Sequence, residues 1–69
     1  MTARRRYEVK VGHGSIEILD LTDLEVVLFW DCRPKERRRM AEGLIRDLDR
    51  LEPDEFLRRW SSADPSDFL

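Results

Sequence analysis

The sequence predicts an α+β fold: a three-stranded antiparallel β-meander followed by two helices, in one small domain. Three observations predict it. Apolar and charged residues alternate over 7–19; a short block of β-branched and aromatic residues occupies 26–30; and an apolar repeat every three or four residues begins after Pro34.

The first strand is read from Tyr7, Val9 and Val11, which alternate with Glu8 and Lys10, the period-2 pattern of a half-buried strand. Gly12-His13-Gly14 follows, and two glycines around one residue suit the positive φ angles of a tight hairpin loop. From Ser15 to Leu19 the alternation resumes, with Ile16 and Ile18 on one side and Glu17 on the other. Residues 7–19 therefore read as a β-hairpin.

Residues 21–32 support two readings. Thr22-Asp23-Leu24-Glu25 matches a helix capping box, and Leu21, Leu24 and Leu28 would share a helical face. Val26, Val27, Phe29 and Trp30, however, form the continuous apolar block of a strand buried on both faces. The strand reading, from Glu25 to Trp30, is preferred, with Asp20 to Asp23 as the preceding turn. If Val26, Leu28 and Trp30 point inward, Val27 and Phe29 are left on the other face.

Pro34 is placed for the first turn of a helix, and Met40, Leu44, Leu48 and Leu51 recur at helical spacing with Ala41 and Ile45 beside them. The spacing predicts a helix over 34–51. Glu42, four residues after Arg38 and four before Arg46, can pair with either. Pro53 ends this helix and opens a second, with Asp54 and Glu55 complementing its dipole and Phe56, Leu57 and Trp60 as its apolar stripe. Residues 1–6 read as a flexible basic arm, 7–61 as the domain, and 62–69 as a loose tail.

A chain of 69 residues hides only about 60% of its unfolded surface, so its core is thin. The usual staples are missing: Cys32 is the single cysteine, and no Cys/His cluster forms a zinc site. No stretch is apolar enough to span a membrane, and the basic start Arg4 to Arg6 runs into a charged, alternating segment rather than an apolar leader. The expected location is therefore the cytoplasm.

The chemistry-bearing residues are sparse. His13 is the only histidine and sits between hairpin glycines, where exposure is expected. Cys32, near Arg33 and a helix start, could carry a reactive thiolate but reads as packing. Asp47 and Asp49, two apart on a helix, do not face each other and make a poor metal pair. Glycines occur only at 12, 14 and 43, so neither a phosphate loop nor a nucleophile elbow is present. No enzymatic activity, cofactor, metal or small-molecule substrate is expected.

The basic clusters are the most pointed feature. Arg33, Lys35, Arg37, Arg38 and Arg39 crowd the start of the main helix, where cations oppose the macrodipole at about 0.3 to 1 kcal/mol each. With Arg4, Arg5 and Arg6 they could bind an acidic protein surface or nucleic-acid phosphate. A net charge of -2 over the whole chain disfavours nucleic acid. The expectation is a small regulatory or adaptor protein that binds a protein partner and self-associates as a homodimer. Val27, Phe29, Trp60, Phe68 and Leu69 are its candidate interface residues, and a nucleic-acid-binding regulator is the alternative.

Overall fold

The computed structural model describes all 69 residues. Strands β1 (Tyr7–Val11), β2 (Ser15–Asp20) and β3 (Glu25–Asp31) are followed by helices α1 (Pro34–Arg50) and α2 (Pro53–Trp60). Single 3-10 turns lie at Ala3–Arg5 and Pro65–Phe68. The sheet is antiparallel in the order β1-β2-β3, and both helices cover one of its faces.

The βββαα reading of the sequence is the fold observed. Alternation in β2 sends Ile16 and Ile18 fully inside, where they meet Met40, Leu44 and Leu48 of α1 in the core. Phe56 of α2 stacks on Tyr7 of β1 with ring centroids 5.7 Å apart. The residues that resembled a helix capping box instead build the β2–β3 turn by Asx hydrogen bonds. Asp20 Oδ1 accepts from Thr22 N at 2.9 Å, and Asp23 Oδ1 accepts from Glu25 N at 3.2 Å. The block that follows is a strand.

Pairing of β2 with β3 is irregular. Ile18 faces Leu28, but Leu19 faces Val26, so Val27 is an extra residue and β3 carries a β-bulge. The bulge resets the alternation. Leu28 and Trp30 point to the core as expected, whereas Val26, expected inward, is 50% exposed on the other face. The hairpin glycines also differ from expectation: neither has positive φ, and the one residue in the left-handed region is Leu24, at φ 60°.

Both chain ends are folded rather than loose. Ala3 is fully buried and its N–H donates to Leu51 O at 2.8 Å, which sets the first 3-10 turn against the end of α1. At the other end, Asp64 caps the second 3-10 turn by accepting from Ser66 N at 2.9 Å, and the Phe68 ring stacks on Trp60 at 5.5 Å. In so thin a core Ala3 at one end and Phe68 at the other are drawn in, while Met1 and Leu69 stay exposed. The tail packs on the helical side, so it leaves the far side of the sheet uncovered.

Candidate functional site

The uncovered side of the sheet is built by alternation. Two rows cross it: Glu8, Leu19 and Val26 in one, Lys10, Glu17 and Phe29 in the next. Its β1 half is thus charged and its β3 half apolar. Phe29 is 53% exposed, Val26 50% and Val27 36%, all within one strand that pairs on one side only. Leu24 extends the patch into the turn at 70% exposure. Single exposed apolar residues are ordinary; a contiguous group on one edge strand is what sets this face apart from the rest of the surface.

The backbone at Leu24 sharpens this reading. Its N–H donates to Asp20 O at 2.7 Å, closing the turn at a position where glycine or asparagine would be unstrained. The chain holds a leucine there instead, pointing its side chain into solvent.

Charge is segregated along β3. At its start stand Asp23 and Glu25, both exposed, Glu25 lying opposite Asp20 on the helical side of the sheet. Asp20 is buried there and paired with Arg6 at 3.4 Å. The hydrogen bond from Thr22 N–H holds the Asp20 carboxyl below the usual carboxylate range, with Arg6 adding to the effect. Past the other end of β3 come Arg33, Lys35 and Arg38, exposed, with side chains that make no ion pair within the chain. Arg38, expected beside Glu42, makes no pair with it.

The other cations of the two basic clusters are held by the fold. Arg37 donates to the His13 carbonyl and so ties the β1–β2 hairpin to α1. Arg39 donates to Leu69 O at 3.1 Å and holds the tail. Arg4 bridges to Asp49, whose carboxyl is lowered by that bond, and Arg6 lies over the Tyr7 ring. Arg5 is exposed and unpaired. The eight basic residues therefore do not converge on one site.

Nor do the five interface residues form one surface. Val27 and Phe29 lie on the open β3 side, while Trp60, Phe68 and Leu69 lie on the helical side. Trp60 is not an interface residue in this chain: it is 4% exposed, with its indole N–H donating to the buried Asp47 carboxylate at 3.0 Å. The Trp60 ring stands edge-on to Trp30 at 6.2 Å and leaves no room over Gly43, where a Cβ would come within 3.2 Å of it. Phe68 is half-buried in this cluster, and of the three only Leu69 stays exposed. Sequence reasoning missed Val26 and Leu24; the bulge that exposes Val26 leaves no mark in the residue pattern.

His13 is exposed in the hairpin loop, and Cys32 is buried, which pushes its thiol up and works against thiolate formation. No three His, Cys, Asp or Glu side chains converge on one point. An open groove of about 560 Å³ between β1 and α1 is lined by Tyr7, Val9, Ile45 and Leu48 with Arg4 and Glu8 at its walls. A smaller one of about 250 Å³ lies over Asp47, Trp60 and Phe68. Neither groove contains His13 or Cys32. No helix is long and apolar enough to cross a membrane. Compared with protein-family models, curated proteins and solved structures, the chain matches none of them.

Proposed function

We propose that this chain is a small regulatory or adaptor protein that acts by protein–protein binding through the open β3 side of its sheet, without catalysis. One observation carries the reading: Val26, Val27, Phe29 and Leu24 stand exposed together on a face that neither helix nor either terminus covers. Burying an aromatic and two or three aliphatic side chains contributes a few kcal/mol, about 1.5 to 3 for each one fully buried. Aromatic anchors at the centre of a polar rim are the usual source of binding energy. Glu8, Lys10, Glu17 and Asp31 supply such a rim here. The reading places the protein in the cytoplasm, where a lone buried thiol is stable.

The experiment is affinity capture with the wild-type chain and with Phe29→Lys as baits, each with and without nuclease. The expected result is a set of proteins retained by the wild type, lost on Phe29→Lys and indifferent to nuclease, with the variant melting as the wild type does. Equal retention by both baits would sink the reading. Retention that nuclease abolishes, and that disappears in an Arg37/Arg38/Arg39→Ala variant, would replace it with the nucleic-acid alternative. The engagement of Arg4, Arg6, Arg37 and Arg39 in bonds within the chain weighs against that alternative.

A further inference from the structure

We infer that two copies of this chain join by their β1 edges, antiparallel and in register about Val9, into one continuous sheet with the helices of both copies on the same side. This goes beyond the docking role of β3: it uses the opposite edge of the sheet and leaves the open face of each copy free.

Hydrogen-bond parity fixes which groups the β1 edge presents. Gly12 N–H donates to Ser15 O at 2.8 Å and Leu21 N–H to Arg6 O at 2.7 Å, one at each end of the β1–β2 ladder. Bonded pairs recur at every second residue of an antiparallel ladder, so Glu8 and Lys10 bond to β2 through Leu19 and Glu17. Tyr7, Val9 and Val11 therefore turn their N–H and C=O groups away from β2, to an edge on which no strand lies. The register of β1 runs unbroken from Tyr7 to Val11, whereas the other edge strand is interrupted by the bulge at Val27.

Side-chain charge selects the pairing. A two-fold axis at Val9 sets Val9 on Val9 and Tyr7 opposite Val11, each pair exchanging both backbone bonds. Glu8 then lies opposite Lys10 of its partner, and Lys10 opposite Glu8, in the closely spaced positions where opposite charges attract. Neither side chain forms an ion pair within its own chain. Sliding by two residues sets Glu8 on Glu8 or Lys10 on Lys10. Sliding by one sets the free backbone groups of Val9 against Glu8 or Lys10, whose own are turned to β2.

The apolar surface lies at the same seam. Tyr7 and Val9 line the groove between β1 and α1, with Ile45 exposed on its α1 side. Val11, on the same face of β1, is exposed as well. Residues paired across the axis keep their side chains on one face, so Tyr7, Val9 and Val11 of both copies meet on the helical side. The second copy thus covers apolar side chains that one copy leaves in water.

The test is sedimentation and native mass spectrometry of the full chain and of Glu8→Lys, Lys10→Glu and the double variant Glu8→Lys/Lys10→Glu. The wild type should dimerise. Each single variant sets like charges opposite each other at both positions and should dimerise at least about tenfold more weakly. The double variant and an equimolar mixture of the two single variants restore opposite charges and should dimerise as the wild type does; recovery in the mixture also shows both single variants to be folded. Amide exchange at Val9 and Val11 should slow as concentration rises, and Phe29→Lys should leave the dimer intact. Single variants that dimerise as tightly as the wild type, or a mixture that stays as weak as they are, would overturn the register about Val9. A wild type that is monomeric at every concentration, or a dimer that leaves the Val9 and Val11 amides unprotected or is lost on Phe29→Lys, would overturn the β1 edge as the contact.

Discussion

Leu24 bears two penalties at once, a left-handed backbone and an aliphatic side chain in water. The first costs about 1 to 2 kcal/mol for an L-residue and is absent for glycine. Leu24→Gly should therefore raise stability by about 1 kcal/mol in urea unfolding while weakening association. A loss of stability would mean that the leucine packs on the chain itself. Trp60 shows the opposite case, a residue fixed from every side. Its N–H satisfies the buried Asp47, which Arg59 also approaches at 3.4 Å, and its ring lies between Trp30, Phe56 and Phe68. The aromatic spacing of α2, and the need of a thin core for Phe56 and Trp60, were legible in the sequence; that Trp30 and Phe68 would close on the Trp60 ring was not, because local spacing does not say what distant segments place against it.

Among the elements, α1 organises the rest. Its Pro34 start is supported by Glu36, whose carboxylate accepts from Arg33 N at 3.0 Å. Its arginines, placed against the helix dipole, hold the hairpin through Arg37 and the tail through Arg39. Those two bonds account for two of the five cations, Arg37 and Arg39, that looked, from spacing alone, like an anion site. The tail is accordingly structural. Deleting residues 64–69 removes the Phe68–Trp60 stack and about 1 to 2 kcal/mol of burial. At about 4 to 8 °C per kcal/mol for a domain of this size, the melting temperature should fall by roughly 5 to 15 °C. An unchanged melting temperature would show the tail to be dispensable to the fold.

At the scale of the whole molecule, stability against acid follows from the carboxylates held below their ordinary value of 3.8. Asp20 is lowered chiefly by Thr22 N–H, Asp49 by Arg4 and Asp64 by Ser66 N–H. A carboxyl whose folded pKa lies below its unfolded one stabilises the fold above the unfolded value, and that contribution is lost as pH falls through the folded value. Urea midpoints should therefore hold steady above about pH 5 and decline below about pH 4. Asp20→Asn should lower the midpoint at neutral pH and flatten the decline; a midpoint that rises on acidification would contradict these assignments. Above neutral pH the same three groups add no further dependence.

The sequence by itself determined the hairpin, both helices with their boundaries to within a residue or so, and the faces of β1, β2 and α1, and it preferred the strand reading of β3 without deciding it. All of these follow from local periodicity and from where prolines stand. Only the tertiary structure decided which way Val26 faces, because the bulge arises from matching β3 to β2 and not from β3 alone. It also decided that both termini fold onto the core and that Arg4, Arg6, Arg37 and Arg39 are spent within the chain, since burial and ion pairing join residues as far apart as Ala3 and Leu51 or Arg4 and Asp49. Pattern reports what a segment can do alone, and these outcomes depend on what a thin core has left for each segment to meet.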